Sequence, residues 1–249
     1  MKKLLYISAF AILIGSCRKD SDGFEANTGS YDHSQSVGNS ANDLLSSKTY
    51  QSLTVEILYM PGFALNSSTT THLTNFLNAR LNKPGGVNIQ SREIPATSNS
   101  VLNITQVRDL ETSNRKAFAG KTNMAITILI TNGTYTDANV LGVAYRNTSA
   151  ALFGKLIHDN SGGVGQPSRY TLEASVLEHE VAHLLGLVDI GTKMVANHKD
   201  ASHGNHCSNQ NCLMYYASET TDVLTALIGG SIPSLDTDCL NDLKGNGGK

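Results

Sequence analysis

The sequence has no large excess of charge of either sign. Its 19 lysines and arginines nearly balance 21 aspartates and glutamates, which gives a formal net charge of −2 and a pI near 6.4. Nucleic-acid binding and electrostatic attachment to a membrane both need a strongly basic surface, so the charge balance argues against both. The sequence also has no internal repeat, and residues 49–249 are long enough for one domain with a sizeable core.

Long apolar runs are also scarce. The most apolar stretch, residues 4–15, is too short to cross a bilayer comfortably as a helix. Lysines precede it and Ile-Gly-Ser-Cys17 ends it, an arrangement that predicts an export signal over residues 1–16. Small residues before a cysteine resemble the lipobox of bacterial lipoproteins, which implies a lipid on Cys17 and an exported protein anchored to a bacterial membrane, at the outer membrane or cell surface. The alternative is a plain signal peptide with an incidental cysteine.

Aliphatic residues are nearly missing between Cys17 and about residue 48. Serine, asparagine, aspartate and glycine dominate there, and such a segment cannot bury enough apolar surface to fold. The composition therefore predicts a disordered tether over residues 17–48, followed by the domain at residues 49–249.

Predicted strands and helices alternate in the first part of that domain. The expected strands are residues 54–60, 87–94, 125–131, 140–145 and 150–157, and the expected helices are residues 67–82, 107–118, 220–227 and 236–243. This order predicts an α/β domain with a mostly parallel sheet. One of the two short strands before residue 158 is expected at the sheet edge, where an extended peptide could add as another strand.

The sequence His179-Glu180-Val-Ala-His183 has the spacing of a zinc hydrolase site. Residues four apart on a helix share a face, so both imidazoles can bind one zinc ion at roughly 2.0–2.1 Å. Glu180 then lies beside the ion and can take a proton from zinc-bound water as general base. Apolar residues recur at helical spacing around this motif and predict a helix, and Ser168 or Thr171 is expected to cap its N-terminus.

The motif resembles the signature of the metzincin metallopeptidases. Gly186 stands where that signature has its glycine, and Met214 stands where it has the methionine turn. The block from His206 to Tyr215 resembles the archaemetzincin pattern His-Cys-x4-Cys-x-Met-Tyr. The resemblance implies a zincin-like α/β domain with an active-site helix, a methionine turn beneath the metal, one catalytic Zn²⁺ ion and a protein or peptide substrate.

Two features depart from the archaemetzincin pattern. An insertion separates Gly186 from His206, and no Cys-x-x-Cys pair follows the methionine turn. The second, structural zinc site of archaemetzincins is therefore not expected. Cys207 and Cys212 are then free to form a disulfide in an exported protein, which leaves Cys239 over.

The third zinc ligand is either His206 or Asp189. His206 lies in the archaemetzincin-like block, whereas Asp189 lies three residues after Gly186, where most metzincins have histidine and some have aspartate. Histidine is the more usual zinc ligand, so we favour His206. His198 and His203 are interpreted as loop residues.

Two further residues follow the methionine turn. Tyr216 stands where some metzincins carry a tyrosine that reaches the metal or the transition-state oxyanion, with simple packing as the alternative. A gluzincin assignment would need a downstream glutamate on a second helix, and Glu219 lacks the partner spacing of one.

The sequence as a whole predicts a zinc-dependent endopeptidase with Glu180 as general base. The alternative is a metal-containing surface lipoprotein that acts as a binding or adhesion module without proteolysis. Glu180 argues against that alternative, because a purely structural zinc site fills all its positions with protein ligands and needs no base.

Lipid anchoring can be tested at Cys17. Cys17→Ala should abolish lipid labelling and move the protein out of the detergent phase, because the acyl chains supply the membrane affinity. Labelling and detergent partitioning of the two proteins are compared side by side. Unchanged partitioning of the variant would show that the cysteine is incidental.

Overall fold

The computed structural model describes residues 31–249. The expected signal peptide, Cys17 and the first part of the expected tether lie outside the described residues. The strands are β1 Ser52–Tyr59, β2 Val87–Glu93, β3 Val101–Leu102, β4 Asn123–Thr131, β5 Thr134–Tyr135, β6 Gly142–Arg146 and β7 Ser149–Phe153. The helices are α1 Ala41–Leu45, α2 Ser67–Arg80, α3 Ile104–Asn114, α4 Gly154–Asp159, α5 Arg169–Leu184, α6 Leu224–Leu227 and α7 Thr237–Gly245, with 3₁₀ turns at Tyr216–Glu219 and Thr221–Val223. Within residues 31–249, no helix is long and apolar enough to cross a bilayer.

A five-stranded sheet organises the domain, in the order β2-β1-β4-β7-β6. β1 pairs in parallel with β2 and β4, β4 pairs in parallel with β7, and β6 runs antiparallel to β7. The predicted α/β class with a mostly parallel sheet is therefore confirmed. β4 lies at the centre and is buried along almost its whole length, as its run of aliphatic residues predicts.

The core lies on both faces of the sheet. Side chains alternate along β4, so Ile126, Ile128 and Ile130 face the larger apolar cluster, which α2 and α5 cover. Leu129 faces a smaller cluster on the other side, with Val107 of α3. The larger cluster holds α5 in place, and α5 carries the His179-Glu180-Val-Ala-His183 motif.

The strand β6 forms the sheet edge next to α5, as the sequence predicts for one of its two short strands. The contact between them is close. A Cβ atom at Gly142 of β6 would lie 2.7 Å from Cγ1 of Val176 on α5, which is nearer than side-chain carbons approach. Glycine at this position therefore lets the helix and the edge strand touch.

The structure corrects the predicted tether, because residues 31–48 are packed against the domain. Leu44 and Leu45 of α1 are fully buried in the larger cluster. The ammonium group of Lys83 donates hydrogen bonds to three carbonyls around α1, and the side-chain amide of Asn147 donates to the Asp32 carbonyl at 2.8 Å. The prediction was wrong because it rested on the average composition of the segment, which is dominated by polar residues. The few apolar residues lie together on one short helix.

This packing predicts a stability cost for truncating α1. Leu45→Ala should lower the free energy of unfolding by about 2–5 kcal/mol, because it leaves a cavity in the core. Val164→Ala is the control, since Val164 is fully exposed, and its effect should stay within about 0.5 kcal/mol. Urea unfolding of both variants measures the difference. Equal stability of the two would mean that residues 31–48 do not stabilise the domain.

Candidate metal centre

The helix α5 begins and ends as its sequence predicts. The Ser168 hydroxyl accepts a hydrogen bond from the Thr171 N–H at 3.0 Å, which is an N-cap. Gly186, with φ +83°, turns the chain away after the helix, and a Cβ there would lie 2.6 Å from the Thr192 nitrogen. The helix is buried from Thr171 to Leu184, so its motif lies inside the domain rather than on its surface.

Three histidines converge at the end of α5. The Nε2 atoms of His179 and His183 are 3.1 Å apart, and the ring of His206 lies 5.3 and 5.1 Å from theirs, measured between centroids. One ring nitrogen from each lies within 4.8 Å of the others. Of the two alternatives for the third ligand, the structure brings His206 to the motif. Asp189 is exposed and outside this group.

Backbone carbonyls fix the tautomer of all three rings. The acceptors are the oxygens of Leu213, Leu187 and His203, which lie 2.7, 3.1 and 2.7 Å from Nδ1 of His179, His183 and His206, respectively. A carbonyl oxygen only accepts, so each Nδ1 must carry the proton, and each Nε2 presents a lone pair. Burial, followed by the two neighbouring imidazoles, lowers the pKa of His183 to about 3, which keeps its ring neutral.

These lone pairs fit a zinc ion. Zn–N bonds of about 2.0–2.1 Å at tetrahedral angles place ligand nitrogens roughly 3.3 Å apart, close to the 3.1 Å between Nε2 of His179 and His183. Without a cation, two lone pairs at that distance would repel each other. The buried Nε2 of His206 has no hydrogen-bond partner among the described residues. The site therefore needs a shared electron-pair acceptor, and zinc suits imidazole donors.

A carboxylate that the sequence interpretation set aside, Glu219, also faces this point. Its oxygens lie 3.7, 3.9 and 3.6 Å from Nε2 of His179, His183 and His206. These distances are too long for hydrogen bonds but suit donors arranged around one cation. Burial alone would raise the pKa of Glu219, but the neighbouring imidazoles of His179 and His206 outweigh it and hold that pKa well below its usual range.

The backbone around Glu219 explains its position. It ends the 3₁₀ turn Tyr216–Glu219, and its carbonyl accepts a hydrogen bond from the Leu141 N–H, just before β6, at 2.8 Å. A tertiary contact therefore places this carboxylate. In the sequence, the available signal was an acidic residue shortly after the methionine turn.

Glu180 directly follows His179 on α5, and its carboxylate is fully buried. Neither of its oxygens has a hydrogen-bond partner among the described residues. Burial, and secondly the charge of Glu219, raise its pKa well above the usual value. A Cβ on Gly142 would lie 2.8 Å from Oε1 of Glu180, so the carboxylate lies directly against the edge strand. Such a group is ready to accept a proton.

Two other predicted residues lie beside the centre. Met214 is fully buried in the turn after Leu213, whose carbonyl holds His179. The ring of Tyr216 stacks on His203, with centroids 3.6 Å apart and planes 6° apart. The predicted contact of Tyr216 with the metal or an oxyanion stays a prediction.

The predicted disulfide between Cys207 and Cys212 is not formed in the structure. Both residues and Cys239 are buried free thiols. The Sγ atom of Cys212 instead lies 3.7 Å from that of Cys239, since helix α7 brings Cys239 next to the methionine turn.

The fold resembles solved structures. Archaemetzincin from Methanopyrus kandleri aligns with a TM-score of 0.51 and 16% identity over 79% of this chain and 96% of that chain. Metalloproteinase-II from Bacteroides fragilis aligns with a TM-score of 0.44 and 13% identity over 81% of this chain and 54% of that chain. At this identity the archaemetzincin alignment shows a shared fold, and the second alignment carries no further argument. No protein-family model and no curated protein matches the sequence.

The geometry predicts an order of zinc loss. His206→Ala should lose zinc at chelator concentrations that leave Asp189→Ala loaded, since Asp189 is exposed and outside the group of donors. Glu219→Ala should fall between them, with affinity reduced by roughly 10–100-fold, the effect expected of a supporting carboxylate. Competition with a chromogenic chelator measures all three. The reverse order for His206 and Asp189 would assign the third ligand to Asp189.

Proposed function

We propose that this chain is a zinc-dependent metallopeptidase and, more narrowly, an endopeptidase. One observation carries the proposal. Three buried imidazoles, each held by an Nδ1–H hydrogen bond to a carbonyl, aim their Nε2 lone pairs at one point. Glu180, the residue after His179, has a buried carboxylate without a hydrogen-bond partner among the described residues. Three nitrogen ligands and an adjacent base are the parts that metal-assisted hydrolysis requires.

In the proposed mechanism, His179, His183 and His206 would hold a zinc ion. When bound, the ion would supply Lewis acidity and lower the pKa of water at the site. Glu180 accepts a proton from the attacking water and can deliver it to the nitrogen of the departing amine. Its burial without partners supports this role, because a raised pKa makes the carboxylate a stronger base.

The edge strand β6 supports an extended peptide as substrate. On one side β6 pairs with β7, and it is the last strand of the five-stranded sheet. Its free side can pair with an extended backbone, which would then run past Glu180, because Gly142 of β6 touches that carboxylate. A chain bound along an edge can extend in both directions, as an endopeptidase requires.

Glu219 favours a second candidate function, a metal-containing binding module. If its carboxylate binds zinc permanently, four protein donors close the site as in structural zinc centres. Glu180 argues for hydrolysis, because a closed site has no use for a buried, unpaired base.

We also propose that the protein is exported and lipid-anchored through Cys17, which rests on the N-terminal sequence.

The test is removal of the base. Glu180→Gln should keep zinc near stoichiometric and lower peptide turnover by about 10²–10⁴-fold, the scale of general-base catalysis. Glu93→Gln is the matched control, because Glu93 is exposed on β2 at the opposite edge of the sheet. Turnover of casein and a peptide library is measured with zinc content. Near wild-type cleavage by Glu180→Gln would exclude the mechanism, and a zinc-loaded wild-type protein that cleaves nothing would favour the binding module.

A further inference from the structure

A second group of metal-binding side chains lies in the domain outside the histidine centre. Ligand atoms of His198, Cys207, Asp236 and Cys239 all lie within 4.8 Å of one another, and the buried thiol of Cys212 lies beside them, 3.7 Å from that of Cys239. They come from distant parts of the sequence, namely the insertion after α5, the segment before the methionine turn, and helix α7. Four of these five donors are buried, namely His198, Cys207, Cys212 and Cys239, whereas Asp236 is half-buried.

The distances within this group describe a compact set of donors. Nδ1 of His198 lies 3.4 Å from Sγ of Cys207 and 3.9 Å from Sγ of Cys239. The sulfurs of Cys212 and Cys239 are 3.7 Å apart. For Zn–S bonds of about 2.3 Å and Zn–N bonds of about 2.0–2.1 Å, tetrahedral angles place sulfurs roughly 3.8 Å apart and sulfur and nitrogen roughly 3.6 Å apart. A disulfide would need about 2.05 Å between sulfurs.

The imidazole of His198 is oriented as a ligand. Its Nε2 lies 2.7 Å from Oδ2 of Asp242, whose other oxygen accepts a hydrogen bond from the Val195 N–H at 2.6 Å. The carboxylate accepts the Nε2 proton, so the lone pair of Nδ1 faces the sulfurs. A carboxylate behind a histidine is the usual support for a metal-bound imidazole.

Backbone donors favour Cys212 as the fourth ligand. Its sulfur accepts N–H hydrogen bonds from Met214 at 3.5 Å and from Asp236 at 3.4 Å, which stabilise a thiolate. The carboxylate of Asp236 has other partners, since its Oδ1 caps α7 by accepting from the Cys239 N–H at 3.0 Å. Its Oδ2 accepts from the side-chain amide of Asn209 at 3.0 Å and also lies 3.3 Å from Sγ of Cys207. Asp236 is therefore the alternative fourth donor, but two N–H groups already occupy its carboxylate.

We propose that Nδ1 of His198 and the thiolates of Cys207, Cys212 and Cys239 bind a second zinc ion, with a structural role. Four protein donors close the site to water, as structural zinc sites require. The expectation of a single zinc and a Cys207–Cys212 disulfide would then be replaced by a Cys₃His centre. This ligand set does not need a Cys-x-x-Cys pair, because His198 in the insertion and Cys239 in α7 supply two donors in its place.

The position of this centre gives it a mechanical role. Cys207 directly follows His206, and Cys212 lies two residues before Met214. A metal bound there would tie the loop that carries His206 to α7 and to the methionine turn. The insertion after α5, otherwise rich in turns and exposed polar residues, would gain a fixed end next to the catalytic centre.

Metal counting on the purified full chain tests the proposal independently of proteolysis. Elemental analysis should find two zinc ions per wild-type chain and one in the double variant His179→Ala/His183→Ala, because the thiolate centre stays filled. Cobalt added to that double variant after zinc removal should give an intense thiolate-to-cobalt charge-transfer band in the near ultraviolet. A double variant without zinc and without this band would overturn the proposal, whether or not the wild-type protein cleaves peptides.

Single substitutions assign the ligands. His198→Ala and Cys239→Ser, each in the double variant, should remove the remaining zinc and the cobalt band. Cys212→Ser should weaken the band, whereas Asp236→Asn should keep it, and the opposite pair of results would contradict Cys212 as fourth ligand. If the cysteine variants do not fold, the cobalt spectrum of the double variant still decides. A Cys212–Cys239 disulfide, detected by mass spectrometry of the unreduced protein, would also exclude the zinc centre.

Discussion

Three hydrogen bonds from imidazole Nδ1 groups to backbone carbonyls determine what the centre can bind. They hold the rings of His179, His183 and His206 in one tautomer and aim three lone pairs at a common point. The acceptors come from the methionine turn, the end of α5 and the insertion, so three separate segments must be in place before the site exists. The long apolar contacts of α5 with the sheet therefore matter for chemistry as well as for stability, because they fix the helix on which two of the rings lie.

The close approach of β6 to α5 adds a second constraint. Gly142 leaves no space between the edge strand and Glu180, so water has little access to the carboxylate from that side. A buried carboxylate without hydrogen bonds costs free energy in the folded state, and proteins retain such groups where function needs them. The same strand has a free side for an extended chain. The proposed base and the proposed substrate path are thus positioned by one element.

Local patterns in the sequence predicted most of the fold. Alternating apolar residues marked β1, a run of aliphatic residues marked β4, and helical spacing with a serine cap marked α5, because these features depend on neighbours in the chain. The spacing of His179 and His183 on a helix likewise fixed their common face. Residues 31–48 were misjudged, because two buried leucines in a short helix carry little weight in an average over a polar segment.

Contacts between distant segments could not be read in the same way. Glu219 is held near the histidines by a backbone hydrogen bond with Leu141, the residue before β6. His198 lies near Cys239 because α7 packs against the insertion. Neither contact follows a rule of sequence spacing, since the intervening loops set the geometry.

The adjacent residues His206 and Cys207 link the two groups of donors. The two residues are adjacent in the chain, yet His206 belongs to the histidine centre and Cys207 to the thiol group. Ordering on either side of this segment then restricts the other, which couples the two groups through a single peptide unit.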